Sequence, residues 1–361
     1  MERHFARHEF TARHLISCSD AESIHLRELL DFEPGSRQKL EALWLGYSDS
    51  RGIPELRAEI RKLYTTVQDR DIVAHTGAQE PILNLFMGLI GPGDHVITHF
   101  PGYQSSYSVP KNLGAEVSLW KARPEEGWRL DLDELKRLLK PNTKLVILNC
   151  PHNPSGYVMP AAEYAALIAI LRERGILLLS DEVYRGLEAR AADRLPAAVD
   201  VYENAISLGV MSKAYGLAGL RVGWIATKNE RVRLAFEKQK DYTTICGPIV
   251  AEWLASLALR HAGRLLERNR ATVGANTAVF SAFLERRGER FEWVPPGGGT
   301  MGFPWRRDGK SMEPLAAKVL EREGLMLITG KYFDTDEKYF RLGLGRKDFP
   351  EVLAILERNL D

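Results

Sequence analysis

The sequence predicts an α/β fold: a large domain with a mainly parallel sheet covered by helices, plus a smaller α+β domain. Three observations lead there. From about residue 71 to 226, short apolar runs alternate with stretches of helical spacing. The apolar runs are continuous rather than alternating, which is the pattern of strands covered on both faces. After about residue 250 this alternation stops, and long helical segments give way to short strands around glycine-rich turns.

Taken in order, "DIVAHTG" (71–77) is a strand leading into a helix that opens near Pro81. "DHVITHF" (94–100) is the next strand, closed by "PGYQ", and "AEVSLW" (115–120) follows. "KLVILNCPHNPSG" (144–156), "GILLLSDEVY" (175–184), "NAISLGVMSK" (204–213) and "RVGWIAT" (221–227) continue the series. Between them, "PAAEYAALIAILRERG" (160–175) carries apolar residues at helical spacing and stops at Gly175. A helical region over 250–286 then leads to "FEWVPPGGGTMGFPW", a strand-turn-strand candidate. A helix near 312–323, the strands "LMLITG" and "KYFRLGLG", and a closing helix complete the chain. The expected division is a large domain over 47–250 and a small domain built from 1–46 and 251–361.

Composition narrows the function. With 361 residues, 45% of them hydrophobic, the chain has enough apolar material for more than one core. A net charge of +1 favours neither nucleic acid nor an anionic membrane. No apolar run approaches the ~20 residues of a membrane span. The scattered Cys18, Cys150 and Cys246, and the charged start "MERHFARHEFTARH", fit a reduced, cytoplasmic protein. His4 and His8 have the spacing of a metal pair but no third ligand to match, so no metal is expected.

Chemistry gathers where the strands end, the edge at which open α/β sheets bind ligands. Thr76, Gly77, Ala78 and Gln79 open a helix, whose free N–H groups suit a phosphate. Tyr103 offers an aromatic face and Asn153 an amide donor. Asp181 ends a strongly apolar strand, Tyr184 follows it, and His152 is read as loop filler. Lys213 and Arg221 come last. Asn153, Asp181 and Lys213 fall ~30 residues apart, the length of one strand-crossover unit. A phosphate cradle, an aromatic face, an acid, an amine and a guanidinium on one sheet edge are what pyridoxal 5′-phosphate requires.

The motifs "NPSG", "SDEVY" and "SKAYGLAGLR", in that order, resemble the fold-type-I pyridoxal-phosphate enzymes, specifically the class I/II aminotransferases. The resemblance runs from "YSDSRGIPELRAEI" (from Tyr47) to "YFRLGLG" (to Gly345) and implies an aspartate aminotransferase-like fold. It implies that Lys213 forms the Schiff base and that Asp181 pairs with the pyridinium nitrogen. Asn153 and Tyr184 would hydrogen-bond the ring oxygen, and Tyr103 would stack on the ring. Gly77, Ala78, Gln79, Ser212 and Arg221 would surround the phosphate, with Tyr47 arriving from the neighbouring subunit of a homodimer. Arg341 would grip the substrate α-carboxylate as a bidentate fork, beside Asn153. Where relatives carry a hydroxyl three residues before the lysine this chain has Val210, so Ser212 is the expected substitute.

The activity so implied is ping-pong transfer of an amino group between an L-amino acid and a 2-oxo acid. Other reactions of the same cofactor share the first step: β-elimination, decarboxylation, or cyclisation. "EFTARHLISCSDAESIHLRELL" (9–30) faintly resembles the enzymes that cyclise a hydroxyarginine to capreomycidine. A non-catalytic regulator on this fold would need a DNA-binding module, and no such pattern precedes residue 47. Candidate pocket residues Phe32, Trp44, Met301, Tyr332 and Phe333 lean towards neutral or aromatic side chains.

Overall fold

The computed structural model describes residues 1–360. A short first strand, β1 (His14–Leu15), precedes β2 (Ile72–His75), β3 (His95–Phe100), β4 (Glu116–Lys121), β5 (Thr143–Asn149), β6 (Leu177–Asp181), β7 (Ala205–Val210) and β8 (Gly223–Ala226). Seven of these form one sheet in the order β2-β8-β7-β6-β5-β3-β4. Within it β8 runs antiparallel to both its neighbours, and the remaining pairs are parallel. The reversal has a functional consequence. The start of β8 lies at the edge where the other strands end, so Arg221 joins Asp181 and Lys213 there.

The continuous apolar strands are buried on both sides, as their composition predicts. In β5, Val146 and Leu148 enter one core while Leu145 and Ile147 enter the core on the opposite face. β6 does the same, with Leu178 on one side and Leu177 and Leu179 on the other. Each such side chain contributes about 1.5–3 kcal/mol of apolar burial. The helix Ala161–Arg174 covers one face through Tyr164, Leu167, Ile168 and Leu171, a stripe at helical spacing. It ends at Gly175, whose φ of 64° is the left-handed conformation that lets the chain turn into β6.

The helices Ile249–Arg260 and Ala262–Arg287 lead to a second set of short strands. Met301–Gly302, Phe340–Gly343 and Ile328–Thr329 make a three-stranded sheet, with Phe340–Gly343 in the middle. That central position holds Arg341. β1 pairs in parallel with Leu325–Met326, joining the N-terminal residues to the C-terminal ones. Leu29 and Leu30 pack instead with Leu56, Trp224 and Trp253 against the large sheet. Residues 16–20 therefore cross from one packed region to the other, passing the strand ends. No helix among the described residues is long and apolar enough to cross a membrane.

Candidate active site

A cavity of about 450 Å³ opens at that sheet edge. Of the residues anticipated from sequence, Ala78, Gln79, Tyr103, Asn153, Asp181, Tyr184, Ser212, Lys213, Arg221 and Arg341 line it. Strand geometry brings them together: each lies at or just beyond a strand end, apart from Arg341, which enters from the C-terminal sheet.

On one wall, the helix Gln79–Leu89 begins with no side chain capping its N-terminus. Its first N–H groups have no carbonyl to donate to, and the helix dipole adds positive potential. The Arg221 guanidinium lies alongside, donating to the Ser212 hydroxyl at 3.2 Å and to the Ala218 carbonyl at 3.1 Å. The Ser212 hydroxyl thus stands beside the cation, while Val210 lines the same cavity without a polar group. Gly77 lies behind this wall with φ of 70°, and a Cβ there would come within 2.3 Å of Arg221 Nη2. Only glycine permits both that conformation and that approach. Gly77→Ala is therefore expected to weaken cofactor uptake about tenfold or more by displacing Arg221, as read by absorbance titration of apoprotein.

Across the cavity, Asp181 is the last residue of β6. Burial pushes its pKa up to about 7, against the lowering effect of the Val183 N–H and the Lys213 charge. A carboxyl held this way gains from a cationic partner, which a protonated pyridine nitrogen would be. Lys213 donates to the Ser19 hydroxyl at 2.7 Å. Burial lowers its pKa below the ordinary lysine value, with Asp20 opposing and Arg341 adding to the effect. Such an amine is easier to bring to the neutral, nucleophilic form. Tyr184 is buried, its hydroxyl 3.7 Å from Met301 Sδ. Tyr103 donates from its hydroxyl to Glu2 Oε1 at 3.1 Å.

Arg341 is 1% exposed yet has no carboxylate within ion-pairing distance among the described residues. Its Nε and Nη2 donate to the Ser17 carbonyl at 3.0 and 2.7 Å, and its Nη1 to Asn153 Oδ1 at 3.2 Å. Asn153 is held in turn, its N–H donating to Asn149 Oδ1 at 2.7 Å. A buried guanidinium met only by neutral acceptors calls for an anion.

Several expectations are corrected. Phe32, Trp44, Met301, Tyr332 and Phe333 do not line the cavity. His152 is not filler: it is buried and stacked on His99 with ring centroids 3.5 Å apart, a slab under the "NPSG" loop. Tyr47, expected at a neighbouring subunit's phosphate, is not corrected: it lies outside this chain's own cavity, 84% exposed. Missed altogether were Ser17, Ser19, Asp20 and Asn149, together with Glu2, Phe5 and Glu9 of the N-terminal helix. Asn149 alone had a signal, a polar residue closing an apolar strand.

The residues suit pyridoxal phosphate: an uncapped helix N-terminus with an arginine for the phosphate, an acid whose burial favours a cationic partner, and a buried amine. The comparisons agree. A family model described as aminotransferase class I and II matches residues 35–353. A solved pyridoxal-phosphate-dependent aminotransferase from Streptococcus suis superposes with a TM-score of 0.92 and 34% identity, over 99% of this chain and 95% of that one. The pyridoxal-phosphate-dependent cyclase OrfR superposes at 0.91 with 28% identity, covering 99% and 96%. Capreomycidine synthase from Streptomyces vinaceus is 28% identical over 356 residues, 97% of this chain and 90% of that protein. With the matched segment spanning nearly the whole sequence, the chain belongs to the class I and II aminotransferase family, and its cofactor is pyridoxal 5′-phosphate.

Proposed function

We propose that the protein is an aminotransferase that moves the amino group of an L-amino acid to a 2-oxo acid. The observation that carries this is Arg341: a buried cation without a counter-ion, in the cavity that also holds Lys213 and Asp181. When bound, pyridoxal phosphate supplies an aldehyde that condenses with amines and a ring that draws electrons from the adjoining carbon.

The chain supplies the rest. Arg221, Ser212 and the N–H groups of Ala78 and Gln79 hold the phosphate, with Gly77 leaving room for the guanidinium. Asp181 keeps a proton on the pyridine nitrogen. Tyr103 would offer an aromatic face to the cofactor ring, while Asn153 and Tyr184 would be its hydrogen-bond partners. Arg341 takes the substrate α-carboxylate as a fork, which fixes the Cα–H bond towards Lys213. Lys213 Nζ would act as the general base that takes that proton and as the general acid that returns it.

The protein purified with vitamin B6 should be yellow, and borohydride should fix the cofactor onto Lys213. Amino donors offered with 2-oxoglutarate or pyruvate should give parallel double-reciprocal plots. Intersecting plots for every reactive donor and acceptor pair would overturn the transfer reading. A second reading, cyclisation, is favoured by the likeness to capreomycidine synthase over nearly the whole chain. It predicts a ring-closed product from one amino acid without an acceptor. An elimination lyase would release pyruvate and ammonia.

We further propose a homodimer in which Tyr47 reaches the partner's phosphate site. Supporting this, Trp44, Leu45, Tyr47, Tyr242 and Ile245 are all more than half exposed. The two segments adjoin, since Ser48 Oγ donates to the Gly247 carbonyl at 3.3 Å. Exposed aromatic surface of this kind ordinarily marks an interface, and light scattering would read the mass.

A further inference from the structure

We infer that the amino acid this site takes carries a cationic side chain on a methylene stem, received by Glu2, Phe5 and Glu9 of the N-terminal helix. The inference rests on the amino-acid-binding role proposed above.

Glu2, Phe5 and Glu9 are spaced i, i+3 and i+7, which puts them on one side of the Glu2–His8 helix, Glu9 being the residue that caps its C-terminus in helical conformation. All three line the cavity. Phe5 adjoins the α-carboxylate end, with the Arg341 guanidinium 5.7 Å from its ring centroid. A ligand fixed at Arg341 therefore meets an aromatic surface next, with a carboxylate on each side of it.

The charges in the cavity can be matched one by one, the Met1 ammonium included, which lines it and donates to Gln104 Oε1 at 3.2 Å. Arg221 answers the cofactor phosphate, Asp181 the pyridinium and Arg341 the α-carboxylate. Asp20 is already paired, accepting from Arg346 at 2.9 Å. Lys213 is consumed in bonding the cofactor. Glu2 and Glu9 are left over. Among the described residues Glu2, which is exposed, accepts only from the Tyr103 hydroxyl, and Glu9 makes no ion pair within 4.0 Å. Burial, then the charges of Asp20 and Glu2, raise the Glu9 pKa, while Arg346 and Lys213 act the other way. Negative potential is thus concentrated along the wall of the cavity formed by the N-terminal residues, and a cation relieves it. A neutral or aromatic side chain would leave the half-buried Glu9 without a counter-charge, Glu2 being exposed to water, and an acidic one would be repelled. Phe5 suits the stem, because long cationic side chains lay their methylenes on apolar surface while the charge seeks its partner.

The test uses the holoenzyme. L-arginine and L-lysine are compared with L-citrulline, L-norleucine, L-phenylalanine and L-glutamate, following the cofactor absorbance and product formation. L-citrulline matches arginine in shape without the charge. Arginine, lysine or both should exceed citrulline and norleucine in kcat/KM by about tenfold or more. Which of the two leads distinguishes a guanidinium from an ammonium. Glu9→Gln, and Glu9→Gln combined with Glu2→Gln, should shrink the arginine-to-citrulline ratio about tenfold, mainly through KM. Equal rates for arginine and citrulline, or a ratio untouched by the double variant, overturn the inference and leave the transaminase reading standing. A preparation that binds no cofactor overturns both.

Discussion

Lys213→Ala is expected to lower turnover about 1,000-fold or more while the protein still folds and still binds cofactor. In the role proposed above the lysine has two tasks, covalent attachment and proton transfer at Cα, and no other lysine among the described residues lines the cavity. Its removal leaves the phosphate wall intact, because Arg221, Ser212 and Gly77 contact one another without it. The variant should therefore take up cofactor that borohydride no longer fixes to the chain. Folding should survive, since among the described residues the Lys213 ammonium hydrogen-bonds only to the Ser19 hydroxyl. Mass spectrometry after reduction and a stopped-flow single turnover check both parts. A variant that retains rapid turnover would remove Lys213 from the chemistry.

Asp181→Asn is expected to do two opposite things: lower turnover about 100-fold or more, and stabilise the cofactor-free protein at neutral to basic pH. The first follows from losing the charge that keeps the pyridine nitrogen protonated. The second follows from the pKa of about 7 that burial gives this carboxyl. An acid whose folded pKa lies above its unfolded one binds its proton more tightly in the folded state. Folding is then unpenalised below about pH 4, increasingly penalised as pH rises towards 7, and fully penalised above. At about 1.4 kcal/mol per pH unit the penalty is bounded at about 4 kcal/mol, and water in the cavity reduces it. Asparagine carries no such penalty and keeps an oxygen to accept from the Val183 N–H. Apoprotein melting curves should thus coincide for the two proteins near pH 4 and separate by pH 8, with Asp181→Asn the higher. A wild-type advantage at pH 8 would mean that Asp181 is satisfied without cofactor.

Asp181 and Lys213 are legible because each closes an apolar strand pattern and parallel strands deliver their ends to one place. Arg221 instead precedes β8, whose antiparallel course brings its start to the same edge. Arg341 was legible only through the "YFRLG" resemblance; nothing local distinguishes it from a surface strand arginine. Ser17 and Ser19 were not legible at all. They sit in an unremarkable polar run, yet Ser17 meets a residue 324 positions away and Ser19 one 194 positions away. The N-terminal helix held a misleading signal, since His4 and His8 drew notice on metal spacing. His4 in fact pairs with the Tyr332 hydroxyl at 2.9 Å, and the side of the helix that faces the cavity carries the two glutamates.

By itself the sequence determined the strand series, the order of the cofactor motifs and the glycine at residue 77. These depend on local burial, backbone conformation and short-range spacing. Only the tertiary structure decided which side of the N-terminal helix looks inward, which serines meet Lys213 and Arg341, and which carboxylates have no ion-pair partner among the described residues. Those outcomes come from packing segments hundreds of residues apart, and a one-dimensional pattern carries no record of the distances that packing sets.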